Sequence, residues 1–142
     1  MGSTSEALTL EEIVEINRLQ IEMFGGLFAS EDNLRNRGSL EYALEAADAV
    51  SFGRELYPTL QEKAALLACT IIQNHVFHDG NKRTALAACR VFLLLNGFDL
   101  ELEQGVVDED AMNIAIDLAD SLKTREDFVE WVFERMSPLD IA

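Results

Sequence analysis

An all-α domain is the fold class this sequence predicts, and three observations carry it. Apolar residues recur at helical spacing along most of the chain, the gaps between these runs hold helix start and stop signals, and apolar/polar alternation of the kind a half-buried strand needs is confined to one short segment. A single domain is expected over residues 1–142: that length suffices for one core, the 2 prolines mark no linker, and neither a Gly/Ser-rich run nor an internal repeat divides the chain.

Thr9 with Glu12 spells a capping box, and Leu10, Ile13, Ile16, Ile21 and Phe24 carry a helical stripe to the stop at Gly25-Gly26. Residues 30–38 form a polar loop, after which Ser39 is expected to cap a short helix through Leu40, Ala43, Leu44 and Ala47. Residues 50–57 have no helical stripe and contain Gly53, so they are expected as an extended flap or irregular turn. Pro58 and Thr59 open the next helix, with Glu62 completing a second capping box. Leu60, Ala64, Leu67, Ala68, Ile71 and Ile72 make that helix heavily buried, and it should end near Asn74. Asn81 begins another strongly apolar helix through Ala85, Ala88, Phe92 and Leu95, stopped by Gly97. Residues 98–102 alternate as an extended segment would. Asp108 starts a helix with Met112, Ala115, Ile116 and Ala119 inside, and Thr124 with Asp127 opens the last, with Phe128, Trp131 and Val132 facing inward. The expected architecture is a helical bundle with a small flap or hairpin.

Charge excludes two classes of function. Against 26 Asp and Glu the chain has 11 Lys and Arg, for a formal net charge of −15. Direct nucleic-acid binding requires a basic face that displaces counterions, and no such cluster exists here. Anionic membrane surfaces repel the chain for the same reason, and no apolar run approaches the ~20 residues that span a bilayer. No charged leader precedes an apolar stretch, so a cytoplasmic protein is expected. Cys69 and Cys89 lie inside apolar helical runs and read as buried small hydrophobes, without the spacing of a metal knuckle.

The connector between the two most apolar helices is polar: His75, His78, Asp79, Gly80, Asn81, Lys82 and Arg83. Gly80 permits close backbone approach, and the helix starting near Asn81 points free N–H groups and the positive end of its dipole outward, a ready cradle for an anion. Lys82 and Arg83 in its first turn oppose that dipole by up to about 1 kcal/mol each, which points to a bound anion such as phosphate. Asp79, just before the cradle, is the kind of hard-oxygen ligand Mg²⁺ takes beside phosphates. His75 is suited to accept a proton from an attacking hydroxyl. Phe77 reads as a structural peg. Singly, each has a plainer explanation: His75 a structural histidine, Asp79 a helix cap, Lys82 and Arg83 solvated charges. Their co-occurrence at one turn sets a phosphate site on an equal footing with those plainer explanations. A metal-dependent phosphohydrolase, suggested by His78-Asp79, would need further histidines on other helices, and both of the 2 in the chain lie in this loop.

Read together as His75-Val76-Phe77-His78-Asp79-Gly80-Asn81-Lys82-Arg83, these residues resemble the Fic-family motif H-x-F-x-[DN]-[AG]-N-[GK]-R, in its Doc (death-on-curing) branch, where lysine follows the asparagine. Leu56-Tyr57-Pro58, Glu62-Lys63-Ala64-Ala65, Asn96-Gly97, Gly25-Gly26-Leu27 and residues 40–44 extend the likeness over about residues 8–136. The resemblance implies a Fic/Doc helical fold and a nucleotide-dependent protein modifier. It implies His75 as catalytic base, Asp79 as the Mg²⁺ ligand, Gly80, Asn81, Lys82 and Arg83 as nucleotide-binding residues, and residues 50–56 as the flap that aligns a target peptide as an added strand. AMP-transferring members have glycine where Lys82 stands and a second arginine where Leu86 stands. Those departures imply the Doc reaction: a toxin of a toxin–antitoxin pair that acts as an ATP-dependent kinase on a Ser/Thr hydroxyl of translation elongation factor Tu. The alternative is adenylylation, AMP transfer to a protein hydroxyl. The self-inhibitory [ST]-x-x-x-E-[GN] helix motif of some members is not found in the sequence, which implies inhibition by a cognate antitoxin of Phd type.

Overall fold

The computed structural model describes residues 5–140. Among them the chain runs α1 (Leu10–Phe24), α2 (Arg37–Ala46), a hairpin of β1 (Val50–Ser51) and β2 (Arg54–Glu55), α3 (Leu60–Gln73), α4 (Asn81–Leu95), β3 (Phe98–Leu100), a 3-10 turn Gly105–Val107, α5 (Glu109–Ala119), α6 (Arg125–Arg135) and β4 (Met136–Pro138). The architecture is all-α, with two small antiparallel strand pairs, β1–β2 and β3–β4.

The centre belongs to α3 and α4, which bury more of their residues than the other helices do. α3 buries an unbroken run from Lys63 to Cys69 together with Ile71 and Ile72, and α4 buries Thr84, Ala85, Leu86, Ala88, Cys89, Phe92 and Leu93. The two pack on each other. α2, α5 and α6 cover the remaining faces of α3, and α1, α5 and β3 those of α4. Residues of all these helices share one hydrophobic core, with Phe77, Phe128, Ile13, Leu40 and Ile71 fully buried.

Local chemistry sets the helix starts. Thr9 and Glu12 close both halves of their capping box, at 3.1 and 2.8 Å. At Thr59 only one half forms: its hydroxyl oxygen accepts from the Glu62 amide, while the hydroxyl donates to the Glu62 carboxylate at 2.7 Å, which does not reach back to the backbone. α2 begins earlier than expected. Its cap is Asn36, whose side-chain oxygen accepts from the Ser39 amide at 3.2 Å, so Ser39 sits inside the first turn. Two inward stripes also need correction. In α5 the buried face is Ala111, Ile114, Ala115 and Leu118, while Ile116 is exposed; in α1 Phe24 is exposed and Asn17 is buried. The extended segment at 98–100 finds a partner that alternation did not reveal, since β4 returns from the end of α6 with Leu100 opposite Met136.

Both cysteines are free and buried, and burial raises the Cys69 thiol to about 12 and the Cys89 thiol further. At pH 8 neither is a thiolate in the folded state. The folded protein should therefore leave a thiol-reactive dye untouched at pH 8, and both thiols should react once denaturant is added. Labelling of the native chain at the rate of a free thiol would contradict this packing.

Candidate active site

After the cap of α3 at Asn74, His75 takes a left-handed conformation (φ +46°), which turns the chain sharply. Val76 and Phe77 then enter the core, both wholly buried. The backbone of Phe77 is gripped from two sides. The Asn81 carboxamide accepts its N–H at 2.9 Å and donates to its carbonyl at 2.8 Å, and Leu34 pairs with it in an isolated β-bridge. Arg35 and Asn36 donate main-chain N–H groups to the Val76 carbonyl, and His78 donates its own to the Asn33 carbonyl at 3.0 Å. With the connector sewn down along its apolar residues, its polar ones are left outward: His75 and His78 are exposed, Asp79 half-buried.

Gly80 is the N-cap of α4, left-handed at φ +76° and without a side chain to cap with. The first intrahelical bond runs from the Thr84 amide to the Gly80 carbonyl at 2.9 Å, so the amides of Asn81, Lys82 and Arg83 head the helix with no capping side chain over them. Such a helix start can cradle an anion. Asp79 is held at its rim: one carboxylate oxygen accepts the Gly80 N–H at 2.8 Å and the other the Leu27 N–H at 2.9 Å. The loop after α1 can come this close only because residue 26 is glycine (φ +132°), since a Cβ there would stand 2.7 Å from Asp79 Oδ2.

Behind the cradle lies a buried polar network. Asn17 Nδ2 donates to the Asp79 carbonyl at 2.9 Å and to Thr84 Oγ1 at 3.0 Å, and Asn17 Oδ1 accepts from Asn33 Nδ2 at 2.9 Å. Asn17, Asn33 and Thr84 are all wholly buried. Asn17→Ala would leave several of these groups unpaired, and at about 1–3 kcal/mol for an unsatisfied buried group the folded state should lose roughly 2–4 kcal/mol in a urea titration. A loss below ~1 kcal/mol would mean the network contributes little.

Arg83 reaches back to α1. Its guanidinium donates to the Gly25 carbonyl at 3.0 Å and lies 5.3 Å from the Phe24 ring centroid, and its Nε is buried with no partner among the described residues. His75, His78, Asp79, Gly80, Asn81, Lys82 and Arg83 all line one open cavity of about 390 Å³, with Ile72, Met112 and Ala119 as its apolar wall. The sequence-derived residues therefore converge. Asn81 contributes its main chain, for its carboxamide is taken up by Phe77. Met112 and Ala119 were expected in the core; their half-exposure at the rim of the α5 stripe places them on the cavity instead. Arg37 pairs with Asp32 and Glu41, and Arg90 with Asp99, away from the cavity. Asn17 was missed, although a carboxamide in phase with Ile13 and Ile21 is the signal that could have marked it.

Asp79 stands as a single carboxylate, and among the described residues no group of three or more His, Cys, Asp or Glu converges into a cage. One such oxygen ligand beside an anion cradle fits Mg²⁺, which completes its shell with phosphate oxygens and water.

Compared with known proteins, residues 7–93 match the family described as Fic/DOC family. Toxin Doc of Mycolicibacterium smegmatis (strain ATCC 700084 / mc(2)155) is similar, at 41% identity over 87 residues, which is 61% of this chain and 67% of that protein. The family match ends within α4, so the α5 wall of the cavity lies beyond it.

Proposed function

The chain belongs to the Fic/DOC family, in its Doc branch, and on that basis we propose that it is a Doc-type toxin that transfers the terminal phosphate of ATP to a serine or threonine hydroxyl of a target protein. The observation that carries this reading is the convergence of His75, Asp79, Lys82, Arg83 and the uncapped start of α4 on one cavity. The α4 amides, Lys82 and Arg83 hold the phosphates, and Arg83 comes to them already restrained by Gly25 and Phe24. Mg²⁺, held by Asp79, would offset phosphate charge when bound.

His75 accepts the hydroxyl proton as the acceptor oxygen bonds to the γ-phosphorus; the bond from that phosphorus to the β–γ bridging oxygen breaks, and ADP leaves. Positioning and charge compensation supply most of the acceleration in reactions of this type. Phosphate transfer is favoured over AMP transfer by two positions. Lys82 adds bulk and charge where an open cradle would need glycine, and Leu86, wholly buried in the core, offers nothing to clamp a terminal phosphate.

The acceptor segment is read as adding a strand to the 50–55 hairpin, whose exposed residues leave backbone groups free for pairing. Elongation factor Tu is the proposed acceptor, a Phd-type antitoxin the proposed inhibitor, and the cytoplasm the proposed location. No described helix is long and apolar enough to cross a membrane. ATP labelled at the α- or the γ-phosphate, incubated with the protein, Mg²⁺ and purified elongation factor Tu, tests the reaction. Label should pass from the γ position only, and transfer from the α position alone would establish adenylylation instead.

A further inference from the structure

We propose that Lys63 is a positioning residue: its buried ammonium fastens the 50–55 hairpin to α3 and thereby fixes the edge on which the acceptor docks. The proposal rests on the docking role given above to that hairpin. Lys63 is only 4% exposed, although lysine is rarely buried without a partner. Its Nζ donates to the carbonyl of Ala47, the C-cap of α2, and to Asp48 Oδ1 at 3.2 Å, and it stands 3.6 Å from Glu55 Oε1. An ammonium has three donors, and three oxygens face it. They belong to the end of α2, the residue before the β1 approach and the last residue of β2, so one side chain ties both ends of the hairpin to a core helix.

Little else holds the hairpin. Its ladder consists of Val50 opposite Glu55 and Ser51 opposite Arg54, extended by the Leu56 amide to the Ala49 carbonyl at 3.0 Å. A two-stranded ribbon of that kind is marginal in water unless it packs a face, and residues 50–54 are all exposed. The turn adds strain, since Phe52 (φ +51°) and Gly53 (φ +76°) are both left-handed, a geometry that favours Asn-Gly. Phe52 is fully exposed and gives the fold no burial in return. Lys63 also lies well away from the chemistry: it is near the start of α3, whereas Ile72 on the cavity is roughly 13 Å further along the helix axis at ~1.5 Å per residue. Loosening the hairpin should therefore leave the cradle intact.

Lys63→Met, Lys63→Arg and the double variant Asp48→Asn/Glu55→Gln test this. Amide hydrogen exchange would be compared between the hairpin and α4, and phosphorylation kinetics measured against purified acceptor. In Lys63→Met, the Leu56 amide and its neighbours should exchange at least about tenfold faster while α4 is unchanged. The KM for acceptor should rise at least about fivefold, with kcat and ATP affinity within about twofold. Lys63→Arg should restore most of both. The double variant leaves the buried position of α3 unaltered and should move both readouts the same way by less, so the question stays open to test if Lys63→Met fails to fold. Hairpin exchange at wild-type rates in folded variants would overturn the proposal, as would a loss confined to kcat. A loosened hairpin with unchanged acceptor KM would refute the docking half. If the wild-type protein transfers no phosphate at all, the reaction assignment falls, and hydrogen exchange by itself then decides whether Lys63 fastens the hairpin.

Discussion

Replacing His75 with asparagine is expected to lower phosphate transfer to the acceptor hydroxyl by about 10²–10⁴-fold, the range of a general base. Asparagine is the informative substitution, because residue 75 sits at φ +46° and asparagine tolerates that conformation better than alanine. His75 is exposed on the cavity rim, and its side chain makes no hydrogen bond within the described residues, so removing the imidazole should cost the fold little. On the proposed reading, in which the α4 amides, Lys82 and Arg83 hold the phosphates, ATP affinity should stay within about twofold. Single-turnover transfer from γ-labelled ATP and calorimetric titration with a non-hydrolysable analogue separate the two effects. Expression of the variant in cells should no longer arrest growth. A variant that transferred phosphate at the wild-type rate would remove His75 from the chemistry.

Much of this site was legible in the sequence because its governing interactions are short-range. The apolar runs of α3 and α4 stop at Asn74 and resume at Asn81, which isolates the connector, and Gly80 at the head of a helix with basic residues in its first turn marks the cradle. The same locality explains Thr9, whose cap partner is three residues away. What escaped depends on partners distant along the chain. Asn17 reads as a defect in an apolar stripe until Asp79, 62 residues later, is seen to need its carboxamide. β4 has no alternation of its own and exists because β3 offers an edge. Asn36 and Ser39 are equally good caps by type, and the choice falls to Asn36, which also donates to the Asn74 carbonyl at 3.4 Å. Lys63 sits in a stretch legible as buried helix, yet the anions that make its burial tolerable lie at Asp48 and Glu55.

The paired variants Gly26→Ala and Gly25→Ala separate backbone strain from displacement of Asp79. Both glycines have positive φ, +87° at Gly25 and +132° at Gly26, so alanine is strained at either, by roughly 1–3 kcal/mol. Their surroundings differ. A Cβ on Gly25 meets nothing within 4 Å, whereas one on Gly26 would stand 2.7 Å from Asp79 Oδ2 and 2.9 Å from Ile21 Cδ1. Ile21 is itself buried and has little room to retreat, so the carboxylate must move and its bond from the Leu27 amide must lengthen. A misplacement of about 1 Å in such a group can cost as much as 10²-fold in rate. Gly26→Ala should therefore lose about 10–10² more in kcat/KM than Gly25→Ala does, and its dependence on Mg²⁺ should shift to higher concentration. Thermal melts should show comparable losses for both. If the two variants lost activity in equal measure, strain alone would account for the effect, and the close approach of the α1 loop to Asp79 would have no part in positioning that carboxylate for the proposed reaction.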